Sequence, residues 1–324
     1  SINSGGTLAG TSAQKLSFAN NLTLNSGSNV EVAFTSAGLN ELFEVSGDLS
    51  LDGTLNVSSF GDPAVGVFKI FKYGGNVVGN FSSFIMPSGV DDDKVEKSTA
   101  NGYYTLTNNS GLILNYWDGN GPHDDGILQG GDGTWNVTNK NWTAAPDYIL
   151  NGLWESGQFA YFGATAGTVK VDNAGGQVAT SGMQFDTTGY RVEGATDDDV
   201  ILLVADSGNP NEKPVIRVGS GESSDLNKIA TIATKITGSS GLQKTFSGTL
   251  ILTGDNAYTG GTDIHGGILQ LGDGGTQGSI DGDINVGSGA KFVVNKSGDT
   301  EFSAVISGDG AVEIDGGGNN FHRQ

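Results

Sequence analysis

The sequence predicts an all-β protein wound as a right-handed parallel β-helix, and three observations carry that prediction. Apolar residues recur in pairs two positions apart, as strands with one buried face require. Between the pairs lie clusters of Gly, Asn, Asp and Ser, which tolerate the left-handed and Asx-turn conformations of tight corners. Finally, residues 236–244 (ITGSSGLQK) and 306–314 (ISGDGAVEI) share an Ile-x-Gly-x-x-Gly/Ala frame. Repetition of this kind favours a solenoid of stacked coils, each roughly 20 to 25 residues long, over an antiparallel sandwich.

In chain order the pairs are Leu22 with Leu24, Val30 with Val32, Leu49 with Leu51, Leu55 with Val57, Phe68 with Ile70, and Val169 with Val171. They resume at Leu250 with Leu252, Leu269 with Leu271, Ile284 with Val286, Phe292 with Val294, and Val312 with Ile314. Glycine supplies 54 of 324 residues with only six prolines and no three-residue period, so the excess serves turns rather than a collagen-like helix. No segment has a convincing helical period. The nearest is 226–237, where Leu226, Ile229, Ala230 and Ala233 fall at helical spacing, while the β-branched run TIATKIT argues equally for a strand. Two stretches interrupt the rhythm. Residues 61–104, with Pro63, Pro87 and the acidic run Asp91, Asp92, Asp93, read as an excursion or bent strands, and residues 115–151 combine Pro122 and Pro146 with Trp117, Trp135 and Trp142.

Residues 248–275 read GTLILTGDNAYTGGTDIHGGILQLGDGG. A Thr-Leu pair (Thr249, Leu250), an Asn-x-Tyr-Thr-Gly-Gly-Thr turn (Asn256 to Thr262) and a Gly-Gly-x-Leu-x-Leu-Gly-x-Gly strand (Gly266 to Gly274) follow in that order. This order resembles the strand repeat of bacterial autotransporter (type V secretion) passenger domains. The tryptophan-rich stretch resembles the opening of a passenger unit, through Trp117 to Gly121, Gly133 to Trp135, and Asn141 with Trp142. The resemblance implies three segments: 1–114 as coils closing one unit, 115–235 as a Trp-containing unit start with further coils, and 236–324 as coils carrying the strand repeat.

With 36 acidic against 16 basic residues and a net charge of −20, the surface repels nucleic acid and anionic lipid. There is no cysteine, which removes disulfides, thiolate metal sites and cysteine nucleophiles. The resemblance gives this absence a reason, because passengers cross the outer membrane largely unfolded and a closed loop would obstruct them. No apolar run reaches the roughly 18 residues a membrane span needs, and Ser1 opens no signal peptide, so an export signal or anchor is expected outside this chain.

Candidate chemistry is sparse. The four tryptophans read as a buried cluster closing or linking coils rather than a sugar-stacking platform. Consecutive aspartates (Asp91 to Asp93, Asp124 with Asp125, Asp197 to Asp199) point different ways on a strand and lack a calcium-loop spacing, so solvated turns are expected. A polysaccharide lyase or hydrolase on this fold would need paired carboxylates near a base. His123 beside Asp124 and Asp125, the Asp197 triplet and His265 are the candidates, but Asn-Thr-Asp, Gly-His-Gly and Arg-Ile-Lys motifs are absent, as are Gly-x-Ser-x-Gly and Gly-Asp-Ser-Gly-Ser. The expectation is a non-enzyme without catalytic, cofactor or metal residues. The resemblance implies a cell-surface or secreted adhesin, or else a released ligand for a host receptor, whose partner is a host surface or matrix protein or a glycan. Exposed strand edges also admit self-association. Specificity is expected in loops leaving the coil, at 88–100, 119–132 and 197–222.

Overall fold

The computed structural model describes residues 1–35, 41–61, 66–90, 92, 95–99, 102–108, 113–144, 150–208, 210–297, 300–302, 305–316 and 321–323. The chain forms two compact units, Ser1–Leu112 and Ile113–Gln324. Both are stacks of short parallel strands, and no α-helix occurs among the described residues. The fold is a parallel β-helix.

In the first unit, strands Thr7–Thr11, Asn29–Ala33, Thr54–Ser59 and Ser83–Ile85 form a four-stranded parallel sheet. Their register aligns like residues: Leu8, Val30, Leu55 and Phe84 lie side by side across the four strands. A second sheet stacks Leu22–Thr23, Leu49–Leu51 and Val77–Gly79. The third departs from the parallel rule, because Tyr103–Asn108 pairs antiparallel with both Gly66–Tyr73 and Val95–Ser98. A short connection suffices to reverse the chain between antiparallel strands, and this hairpin is how the interrupted rhythm of 61–104 resolves. Phe43 and Phe71 stack inside it with ring centroids 5.0 Å apart.

The second unit holds sheets of ten, eight and four strands. The eight-stranded sheet shows why the apolar pairs matter. Val192, Ile232, Leu252, Leu271, Val294 and Ile314 occupy one register row, and Ala230, Leu250, Leu269, Phe292 and Val312 another. Leu250, Leu252, Leu269 and Phe292 are fully buried, each side chain adding about 1.5–3 kcal/mol by leaving water. Val312 and Ile314 differ, standing 46% and 48% exposed, because their strand Ala311–Ile314 is the edge of this sheet. The ambiguous segment at 226–237 contributes strands Ile229–Ile232 and Lys235–Gly238, preceded by a single 3-10 turn at Ser223–Asn227.

The repeat motif is explained by its hydrogen bonds. Asn256 is buried and spans coils: its Oδ1 accepts from the Ile236 amide at 3.0 Å, while Nδ2 donates to the carbonyls of Gly254 and Ser279 at 2.9 and 3.0 Å. Tyr258 is buried beside Thr262, hydroxyl to hydroxyl at 2.8 Å. Gly267 has φ +63, and a Cβ there would press on the backbone carbonyls of Gly248 and Phe246. Asn256 and Gly267 therefore satisfy or clear backbone at corners, where a tightly wound chain leaves polar groups unpaired, and Tyr258 and Thr262 satisfy each other's buried hydroxyls.

Candidate functional site: a polar groove beside a tryptophan-capped stack

All four tryptophans are buried, which excludes the sugar-stacking reading. Trp117 and Trp142 face each other across an antiparallel pair at one end of the ten-stranded sheet. Trp142 lies 5.2 Å from Trp117 and from Trp135, and 4.3 Å from Trp154. Trp117 donates its indole N–H to the Gly131 carbonyl at 2.9 Å and Trp154 to that of Ala179 at 3.0 Å.

The loop at 119–132 is strapped down rather than free. Asp118 is fully buried and accepts from the Gln129 amide at 2.7 Å and from Asn151 Nδ2 at 2.8 Å. Burial raises its carboxyl pKa, with these two hydrogen bonds opposing. Asp124 and Asn151 bond reciprocally through side chain and amide, and Asp125 accepts from the Ile127 amide and the Gln129 side chain. His123 contacts the Gly119 carbonyl, and His265 contacts Gln243. These acids are thus engaged in holding turns. In the segment 88–100, Asp91, Asp93, Lys94 and Ala100 lie outside the described residues, while Asp92 pairs with Lys97 at 2.6 Å. Segment 197–222 is not one loop, since it contains the stacked strands Val200–Leu203 and Val215–Val218.

Its first residues do border a concavity. At the corners that join the eight-stranded to the four-stranded sheet, successive turns around Thr196, Thr234 and Gly254 line an open groove of about 600 Å³, to which Gln277 also contributes. Its rim is mixed in charge. Arg191 pairs with Glu193 at 3.0 Å, Lys235 is exposed and has no ion pair among the described residues, and Asp197 and Asp255 add acids. Asp199 is the structural member: its Oδ1 accepts from the Asn173 amide at 2.7 Å, and Oδ2 from the Thr196 amide and hydroxyl, each at 2.8 Å. Burial raises its carboxyl, but these hydrogen bonds outweigh burial and hold it below the ordinary value. Its backbone carbonyl takes the buried Thr234 hydroxyl at 2.6 Å, tying one coil to the next. The groove offers donors and acceptors of both signs, a surface suited to binding polar groups. Among the described residues no group of three or more His, Asp or Glu stands ready to hold a metal.

Residues 242–271, which include the Asn256 and Tyr258 corner just described, match the passenger-associated-transport-repeat family model. Over 292 residues the chain is 38% identical to the adhesin BmaC autotransporter of Brucella suis biovar 1 (strain 1330), covering 86% of this chain and 8% of that protein. The chain belongs with the autotransporter passenger domains. Its place is therefore the bacterial cell surface or the secreted fraction. No solved structure matches it. The passenger segment spans only a small part of the length of that relative, and no helix among its described residues is long and apolar enough to cross a membrane. Sequence reasoning missed the groove, whose residues come from separate coils and share no motif.

Proposed function

We propose that this passenger segment is an extracellular, non-catalytic adhesive module that contributes to host interaction and virulence. The observation that carries the reading is the kinship with a protein named as an adhesin along 86% of the chain. The geometry agrees with it. A solenoid repeats its outer surface from coil to coil, so many weak contacts add along one face. The groove has polar groups for binding, while the acids the sequence offered for catalysis, Asp124, Asp125 and Asp199, are occupied by backbone amides. We further propose host surface or matrix proteins or glycans as partners. The test is adhesion of the purified 324-residue protein to host cells and to arrays of matrix proteins and glycans. Saturable binding that falls when Lys235 and Arg191 are both changed to alanine supports the reading. Failure to bind any cell or array component, or release of reducing ends from a polysaccharide panel, overturns it.

A further inference from the structure

The outer face of the ten-stranded sheet carries an arginine that the fold uses for nothing ionic. Arg217 lies on strand Val215–Val218, in one register row with Gln184 and Tyr161 on one side and Thr245 on the other. Its guanidinium carbon sits 5.0 Å from the centroid of the Phe159 ring and 5.5 Å from that of Phe246. Phe159 reaches this position by lying across Gly182, where a Cβ would come within 2.8 Å of the ring. Several other cations of this unit have acidic partners: Arg191 pairs with Glu193, Lys213 with Asp263, Lys228 with Asp186 and Asp225. Arg217 has no ion pair and no side-chain hydrogen bond among the described residues, in a chain with 36 acidic groups.

A guanidinium placed over two aromatic rings and bonded to no side chain keeps N–H groups for a partner, and its fork fits a carboxylate through two parallel hydrogen bonds. Further along the same face, Tyr116 and Tyr161 form a partly buried pair with centroids 4.6 Å apart and rings tilted by 46°, an aromatic surface that suits the C–H face of a pyranose. Gln184 lies in the row between Tyr161 and Arg217. The net charge of −20 repels a polyanion along its whole length, so the fitting ligand carries one acidic group rather than many.

We infer that this face binds glycans bearing a single carboxylate sugar, with Arg217 receiving the carboxylate and the Tyr116–Tyr161 pair supporting the neighbouring ring. The inference rests on the adhesive reading and assigns it a ligand class at a second place on the segment, distinct from the groove.

The experiment is calorimetric titration of the whole 324-residue protein with sialyllactose, with lactose as the neutral control and a heparin hexasaccharide as the sulfated polyanion. Saturable binding of sialyllactose and none of lactose is expected. Arg217→Gln should abolish it, and Arg217→Lys, which keeps the charge but loses the fork, should weaken it by roughly tenfold or more. Circular dichroism checks that each variant folds, and the lysine variant serves if the glutamine variant does not. Equal binding of lactose, preference for the hexasaccharide, or an Arg217→Lys protein that binds like the wild type would each overturn the inference. If sialyllactose fails to bind while the protein still adheres to host cells, this inference falls and the adhesive reading stands; binding of sialyllactose without cell adhesion does the reverse.

Discussion

The ammonium nitrogen of Lys244 lies 3.1 Å from the carbonyl oxygen of Gly266, 22 residues further along and in the next coil. It also donates to the carbonyls of Thr245 and Phe246 at 2.8 and 3.0 Å, so three N–H donors meet three acceptors at a corner where Phe246 takes φ +64. The side chain is fully buried in the row of Ile216 and Ile264, a position the alternating pattern reserves for an apolar residue.

Burial pushes the Lys244 ammonium down to about 7 from 10.5, while its three carbonyl partners favour the charged form. The folded pKa lies below the unfolded one, so above pH 7 the unfolded chain holds the proton that the folded chain has released. Stability should therefore rise with pH between 7 and 9, by on the order of 1 kcal/mol per unit. Urea denaturation of wild type and Lys244→Met across this range checks it: the variant should lack the rise, and parallel curves would refute the assignment.

Asp225 predicts a dependence of the same sign at acid pH. Its Oδ2 accepts amide N–H groups from Ser220, Gly221 and Glu222 at 2.7, 2.9 and 3.0 Å, and Lys228 lies 2.9 Å from its Oδ1. Burial raises the carboxyl, but these partners outweigh it and hold it at about 2. The stabilisation is complete above the unfolded value of 3.8 and is lost as pH falls toward 2. Asp225→Asn should cost on the order of 2 kcal/mol at neutral pH and converge on the wild type near pH 2. A constant difference in melting free energy from pH 7 to pH 2.5 would contradict this.

Trp135→Ala should cost about 3–5 kcal/mol, because its ring meets Trp142, Trp154 and Phe162 at 5.2, 5.1 and 5.6 Å and little can collapse into the void. Trp135→Phe should cost less than the lost volume alone implies, since the buried indole N–H of Trp135 has no partner among the described residues and its removal relieves a desolvated donor. Chemical denaturation of both variants separates the two contributions.

Acidic self-repulsion along the stack predicts that added salt raises the melting temperature modestly. At about 0.15 M the screening length is roughly 8 Å, enough to damp repulsion between coils several strands apart. A melting temperature unchanged between low and physiological salt would show that pairs such as Lys228 with Asp186 already neutralise the field.

What the sequence revealed was the part governed by local chemistry. Leu250 with Leu252 and Leu269 with Leu271 announce buried rows because strand alternation is fixed by the backbone, and Asn256 announces its corner because few side chains can bond three backbone groups. The rest depends on which coils meet. Arg217 gains its meaning from Phe159 and Phe246, which lie on other coils, and the groove gathers Arg191, Lys235 and Asp255 from separate ones. Lys244 was hidden for a different reason: its carbonyl partners include Gly266, and backbone atoms leave no mark in a sequence pattern. The hairpin of Val95–Ser98 and Tyr103–Asn108 was hidden too, since alternation is the same in parallel and antiparallel strands.

The register rows hold one more implication, for kinetics. Leu250 is matched to Leu269, Leu269 to Phe292 and Phe292 to Val312, so most rungs close over a similar short span of chain. The entropy lost in closing a loop depends only weakly on its length, and here the length scarcely changes as the stack grows. Each finished rung offers a ready edge to the residues that come immediately after it. Assembly can accordingly proceed like a zipper, in the order in which the polypeptide is delivered, without waiting for distant parts of the molecule to meet.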